Sequence, residues 1–550
     1  MKTTNKIKSI LFIIGLILII GACDENFLEE IPPSSFSTVG VLKSPSGFET
    51  YITALHQSAR NEMATRDGNM QYYIMHGATD VASFGHAGLN SNSYMQLLSP
   101  TAGSSSWNWD WAYTEMIMLA NTIIDYAEKS DLEDIWENVE QKNAIIAEAK
   151  FFRAYTYNFL ANVFGRVPII DKVYESPKVD FVRSDTRNEV LEFARQDLEF
   201  ASEWLPTQVV KEGRIVKAAA DHLLTEVYIS LGLYDKAVLS ANKVINSGLY
   251  QLMTQRFGTE KDKPGDVFSD MFKDGNQNRS SGNLESIYVW QFEDMTPGGQ
   301  GGSNGNNRLR KWGPWYSRLL DPNGKAGMVV DDSIGRGTGQ VRPSNYFLYD
   351  IWKSDWDNDI RNSEHNIRRE WYYNHPSSAY YGQKVNPGFY TTETDTMQNL
   401  YPQIRKIEGK VGTLTHTSIG LWSGRTYDDF MVYRLAETYL LRAEAYFRMG
   451  DLINASNDIN VVRARANATL IEPSQVTEEY ILDERARELI TEEPRRRTLV
   501  RMGLLVDRAK KYSMRAVTRE SIQEFHQWFP IPQTSIDANF GAVLEQNPGY

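Results

Sequence analysis

Two segments 218 residues apart carry the same spacing of key positions. In one, Tyr228, Gly232, Tyr234 and Ala237 follow at offsets of 4, 2 and 3, and in the other Tyr446, Gly450, Leu452 and Ala455 repeat those offsets. Both run on with helical periodicity, through Ala241 and Val244 in the first and Ile459 and Val462 in the second. An aromatic ring that closes one helix, a glycine turn and a small alanine where the next helix crosses define an antiparallel helical hairpin. Such a hairpin cannot bury its apolar face alone, so further helices must stack against it.

This is the tetratricopeptide pattern, present as separated copies rather than a tandem array. Helical periodicity alone is common, so two hairpins define the fold less sharply than an array would. Phe48, Ile52 and Leu55 predict a helix over Ser46 to Arg60. Ile117, Ala120 and Ile124 share one face of a helix over Trp111 to Glu128. Ala144 to Phe164 is a third, closed by Gly165 with Pro168 beyond. Towards the C-terminus, Tyr433 to Arg448, Leu452 to Ala466 and Glu478 to Glu492 read as helices, the last ending before Pro494. The tail from Trp528 carries Pro530, Pro532 and Pro548 and reads as an irregular surface arm.

Between these blocks, Arg66 to Gly103 and Gly258 to Ser423 lose periodicity, apart from a strand-like run over Ser286 to Phe292. Such length without regular structure marks function or disorder, and the many rings in the second stretch, Trp290, Trp352, Trp356 and Trp371 among them, argue against disorder. With 41% hydrophobic and 23% charged residues the chain is a folded body and not a polytopic membrane protein. The expected fold is mostly α: a tetratricopeptide-like helical-pair scaffold, mainly 111–250 and 430–510, with long irregular ligand-binding inserts, mainly 61–110 and 258–423, and little β.

The N-terminus reads as an export signal over 1–22. Lys2, Lys6 and Lys8 precede an unbroken apolar run from Ile10 to Ile20, too short to span a bilayer. The segment Ile20, Gly21, Ala22, Cys23 resembles a bacterial lipoprotein box, which implies cleavage before Cys23 and acylation of its thiol. Cys23 is the one cysteine, so a disulfide within the chain and a cysteine zinc site are both excluded. Residues 23–45 read as a tether containing Pro32, Pro33, Ser34 and Ser35, and 46–550 as the folded domain. Losing three lysines takes the net charge from −12 to −15. With no Lys/Arg-rich block, nucleic acid is excluded as a partner.

No catalytic constellation stands out. None of the eight histidines falls in an H-E-x-x-H motif and no G-x-S-x-G elbow is present. Glu484 and Glu488 lie on one helical face, whereas glycosidic cleavage needs carboxylates across a cleft, so they read as a structural charge network with Arg495 to Arg497 and Arg501. Asp355, Asp357 and Asp359 have the opening spacing of a calcium loop, but Ile360 and Asn366 stand where Gly and Glu are required, and a turn closed by an Asp359–Arg361 salt bridge is expected instead. No metal or cofactor is indicated; a structural calcium ion is a weaker alternative.

The rings outside helical periodicity are the candidate ligand contacts. Trp312, Trp315 and Tyr316 flank Gly313 and Pro314 beside the Gly298–Gly305 insert. Arg66, Asp67, Asn69, Tyr72, Tyr73 and His86 lie in the first irregular stretch, and Trp107 is expected at its end. Aromatic faces stack on pyranose rings while Asn, Asp, Arg and His bind hydroxyl edges.

Several motifs carry a family resemblance. In order they are Cys23 with Phe27, Leu28 and Glu29; Ala147 to Tyr155; Phe164 to Pro168; Tyr433 to Leu440; Asn460 to Ala466; Glu484 to Leu489; and the ending Gln546 to Tyr550. In this order they resemble the RagB/SusD-type outer-membrane lipoproteins, over almost the whole mature chain. The resemblance implies four tetratricopeptide-like units beneath a less regular ligand-binding half. It implies non-catalytic capture of a nutrient, usually a glycan, at the cell surface, and delivery to a TonB-dependent SusC-like transporter. One branch of the family resembles a peptide importer, so peptide capture is the alternative, with a surface hydrolase a distant third. Glu493, Pro494 and Arg495 depart from the usual Glu-Gly-x-Arg, so a local difference in that turn is expected. No motif in the ligand-binding half aligns residue by residue.

Overall fold

The computed structural model describes residues 38–63, 74–86, 93–174, 176–209, 211–294, 296, 298–299, 305–331, 334–408 and 424–550. Cys23 with its signal, the tether as far as residue 37, and Arg66, Asp67, Asn69, Tyr72 and Tyr73 lie outside the described residues. The last part of the expected tether is not a spacer, since Thr38–Val41 is helical and Leu42 is fully buried.

The scaffold helices are α1 (Pro45–Ala59), α2 (Met118–Ala127), α3 (Val139–Val163), α4 (Arg187–Trp204), α5 (Lys217–Ser230), α6 (Tyr234–Ile245), α7 (Leu435–Arg448), α8 (Leu452–Arg465), α9 (Glu478–Leu489) and α10 (Arg495–Arg501). Helix α3 is the axle: every residue from Ile145 to Val163 except Lys150 is buried, because α1, α2, α4 and α10 pack around it. It starts five residues earlier than periodicity suggests, where the Asn138 side chain caps the Gln141 N–H at 2.8 Å. It stops at Gly165, whose φ of +77° is the left-handed conformation glycine adopts freely.

The two matching hairpins are α5–α6 and α7–α8. Gly232 and Gly450 make their turns at φ +74° and +80°, and a Cβ added at either would meet nothing within 4 Å. Backbone conformation, not crowding, therefore calls for glycine there. Ala237 and Ala455 are fully buried at the helix crossings. The two copies are neighbours in space although 218 residues separate them, because α6 packs on α7 and Arg442 of the later copy bonds Asn242 of the earlier one.

Two expectations need correcting. Gly103–Asp110 is helical and continues through a π-helical turn, Trp111–Ile117, into α2, so Trp107 sits on a helix and not at the end of a loop. The tail is not wholly a surface arm. Phe529 and Ile531 are fully buried, Phe529 N–H bonds Val163 O at 2.7 Å, and Gln533–Ala538 is a short helix.

Among the described residues the irregular half holds three two-stranded antiparallel sheets: β1 (Ala82–Phe84) with β3 (Val341–Pro343), β2 (Ser286–Trp290) with β6 (Phe430–Arg434), and β4 (Ile367–Arg368) with β5 (Gln403–Ile404). Strand β6 runs directly into α7, so this half is fastened to the scaffold by continuous backbone. Tyr316, Leu319, Met328, Trp371, Tyr373, Val385 and Tyr390 form a separate hydrophobic cluster within it.

A buried ion-pair network joins the halves, as expected of Glu484 and Glu488, but through other arginines. Glu484 pairs with Arg361, Arg463 and Arg487, and Glu488 with Arg361, Arg434 and Arg465. Arg495 instead holds Asp80 and Glu493, and Arg501 holds Glu444. The turn before α10 places Thr491 at φ +67°. Asp359 pairs with Arg361 at 2.7 Å and Asp355 with Arg463 at 2.7 Å, so those two acids close turns onto cations.

Candidate functional site

Four irregular segments converge around Trp315. The short helix Arg308–Trp312 ends at Gly313, and the chain then lies against residues 337–340. Thr338, Gly339 and Gln340 N–H groups bond the Arg310, Gly313 and Lys311 carbonyls at 2.8, 2.8 and 3.0 Å. Gly85 N–H bonds Gln340 O at 2.9 Å, and Trp315 N–H bonds Gln398 O at 2.8 Å. A Cβ on Gly313 would come within 3.0 Å of Gly337 Cα, so this glycine is needed for close approach.

The same packing separates the three predicted rings. Trp312 and Tyr316 are each 1% exposed, which corrects the expectation that they display their faces. Trp312 packs edge-on to His76, with ring centroids 5.4 Å apart, and its carbonyl accepts from Tyr401 Oη at 2.9 Å. Burial pulls His76 down to about 3 and Lys311 down to about 7 beneath it. Tyr316 donates to Gly335 O at 2.6 Å and packs on Trp371. The Gly313–Pro314 turn thus sends its flanking rings into two different hydrophobic clusters.

Trp315 alone of the three is half-buried. The Arg318 guanidinium lies 3.3 Å from its ring centroid and that of Arg336 5.7 Å. Arg336 has its pKa lowered by burial and by Arg310 and Arg318. At 3.3 Å the Arg318 guanidinium is stacked over one face of the ring, so a sugar packing on Trp315 must use the opposite face.

Trp107 is half-buried and stacks on Trp111, one helical turn later, at 6.2 Å and 9°. Trp111 is core and bonds Ser58 O through Nε1 at 2.9 Å. Among the described residues no ring contact joins Trp107 to Trp315. His86 is half-buried just after β1.

Sequence reasoning missed an open groove of 770 Å³ between scaffold and irregular half, lined by His56, Arg60, Trp290, Phe292, Tyr427 and Asp429 among others. His56 Nε2 lies 2.7 Å from Glu148. Burial alone would raise Glu148, but hydrogen bonds from His56 and Arg214 hold it at about 2. Asp429 at the other wall and its buried neighbour Asp428 behave oppositely. Burial and Asp274 push Asp428 up to about 8. Burial, with Asp274 and Glu293 nearby, pushes Asp429 up to about 7, although Phe292 N–H and Asn278 Nδ2 each donate to it at 2.7 Å. Two adjacent acids entering a strand were the available signal, but burial could not be read from them.

Among the described residues, no group of three or more His, Cys, Asp or Glu side chains is arranged to hold a metal ion, and no helix is long and apolar enough to cross a membrane.

Comparison with known proteins matches residues 267–550 to the SusD family and residues 26–229 to a family described as starch-binding associating with outer membrane. The starch-binding protein SusD of Bacteroides thetaiotaomicron is 26% identical over 489 residues, covering 83% of this chain and 81% of that protein. SusD-like protein P25 of Formosa agariphila is 24% identical over 99% of this chain and 100% of its own length. Among solved structures, a laminarin binding SusD-like protein superimposes with a TM-score of 0.67 at 21% identity, over 92% of this chain and all of that one. Surface glycan-binding protein A from Bacteroides fluxus gives 0.66 at 21% identity, over 92% and 99%. The helical-pair scaffold, the irregular half carried between β2 and β6, and a family match over more than half of its length place this chain in the SusD family.

Proposed function

We propose that this protein captures a glycan at the cell surface and passes it, uncleaved, to a TonB-dependent SusC-like transporter in the outer membrane. Glycan-binding proteins of the SusD family are non-catalytic. Relatives named for binding starch and laminarin support the ligand class, and the lipoprotein-like segment ending at Cys23 supports anchorage by an acylated N-terminus. The observation that carries the reading is Trp315, a partly accessible ring fixed by backbone bonds at the convergence of four segments, with Arg318 and Arg336 beside it. The proposed contacts are Trp315, Trp107 and His86, with Arg66, Asp67, Asn69, Tyr72 and Tyr73, whose placement lies outside the described residues.

The test is calorimetry of the mature protein with soluble starch, laminarin and a mixed peptide pool. Saturable binding of a polysaccharide without release of shorter products is expected. Binding of peptides and of neither glycan would transfer the reading to peptide capture.

A further inference from the structure

A second pair of rings lies away from Trp315. Tyr349 and Trp356 are each 40% exposed, with centroids 6.3 Å apart and planes inclined by only 13°. Exposed aromatic area is costly to leave in water, and two nearly parallel, neighbouring rings in stacking geometry form a patch rather than scattered apolar residues.

The pair is held rigidly. Arg369 lies 4.7 Å from the Trp356 ring and donates to Leu348 O at 3.0 Å, the carbonyl that precedes Tyr349. The same guanidinium bonds Asn362 O and Oδ1 at 3.0 and 2.6 Å, and Asn362 Nδ2 donates to Trp356 O at 2.7 Å. One arginine and one asparagine therefore fix the backbone of both ring-bearing segments. The loop between the rings is anchored on α9 and α8: Arg487 bonds Ile351 O at 3.0 and 2.8 Å, and Asp355 pairs with Arg463. Trp315, by contrast, is fixed to residues around 313, 339 and 398.

We infer that Tyr349 and Trp356 form a second saccharide-binding platform, for the faces of a neutral pyranose chain. This rests on the reading of the protein as a glycan-capture protein. Three observations favour a sugar chain over a protein. The rim is an exposed ion pair, Asp350 with Lys353 at 2.7 Å, which offers an acceptor and a donor to hydroxyl edges. The apolar island is two rings wide, far short of the roughly 800 Å² per partner of a stable protein interface. The rings are pre-organised, so stacking a sugar orders nothing further in the protein. A polymer that bridges this platform and the Trp315 region would gain avidity that a short oligosaccharide cannot.

The experiment is oxidation of exposed tryptophans by N-bromosuccinimide, read by peptide mass spectrometry, with and without soluble starch or laminarin. Polysaccharide should slow oxidation of Trp356 at least about threefold. The double variant Tyr349→Ala/Trp356→Ala should bind polymer about threefold to tenfold more weakly at an unchanged melting temperature, and bind short oligosaccharides normally. Protection of Trp315 with Trp356 oxidised at its free rate would overturn this platform and leave the capture reading standing. No protection of either ring and no binding would overturn both. Protection of Trp356 that rises with protein concentration, without glycan, would overturn it in favour of self-association.

Discussion

Arg361 donates to Glu488 at 2.8 Å from a segment 127 residues earlier in the chain, and both side chains are fully buried. The bond ties the irregular half to α9 through charges that have no water to fall back on.

Removing one partner of this pair should therefore be more harmful than its single bond suggests. Glu488→Gln or Arg361→Met should each cost about 3–5 kcal/mol, because the remaining charges stay buried without compensation. Urea denaturation followed by circular dichroism measures it. A change below about 1 kcal/mol would show that water reaches the network.

The hairpin glycines have room for a side chain, but a left-handed backbone strains most residues that carry one. Gly232→Ala and Gly450→Ala should each destabilise by about 1–2 kcal/mol, through left-handed strain alone. Asparagine at the same positions should cost less. Equal losses for alanine and asparagine would point to contacts rather than conformation.

The rings around Gly313 should divide by role. Trp312→Ala should lower stability by about 3–5 kcal/mol, as a buried aromatic does. Trp315→Ala should leave the melting temperature in place and weaken glycan binding about threefold to tenfold. Binding should vary little with salt, since a neutral sugar forms no ion pair. Normal binding by the Trp315 variant would move the site elsewhere.

Two adjacent buried acids give stability a dependence on pH. Asp428 and Asp429 hold protons in the native state at about 8 and 7, above the roughly 3.9 of an unfolded aspartate. The stability this contributes is whole below about pH 4 and is lost as pH rises through 7 to 8. The melting temperature should fall progressively between about pH 4 and pH 8 and level off above, and Asp428→Asn should fall less. An identical decline in the variant would remove Asp428 as the cause.

Mass spectrometry of the mature N-terminus from membranes should find Cys23 acylated and residues 1–22 absent. A chain that keeps Met1, or an unmodified thiol, would end the lipoprotein reading.

Much of the scaffold was legible because periodicity and turn glycines are local signals: Gly165, Gly232 and Gly450 mark true helix ends. Trp107 escaped because the π-helical turn at Trp111–Ile117 breaks the 3.6-residue period, and the serines before it carry little helical signal. The carboxylates of the ion-pair network, Glu484 and Glu488, are legible in the sequence but their arginine partners are not, since Arg361, Arg434 and Arg463 arrive from distant segments. At the site, Trp312, Trp315 and Tyr316 look equivalent in the chain. Only the packing of Gly313 on Gly337 separates the half-buried ring from the two buried ones.

The β2–β6 ladder works as a clasp. Between Trp290 and Phe430, which it pairs, run 139 residues. Once a loop of that size is closed, doubling its length costs only about 0.6 kcal/mol in closure entropy. Inserts there can lengthen, shorten or change their rings with little thermodynamic penalty to the helical pairs, provided the clasp and the carboxylates of α9 keep their partners. The molecule is in this sense a fixed frame with an exchangeable cassette, and new ligand preferences can be tried on it without refolding the frame.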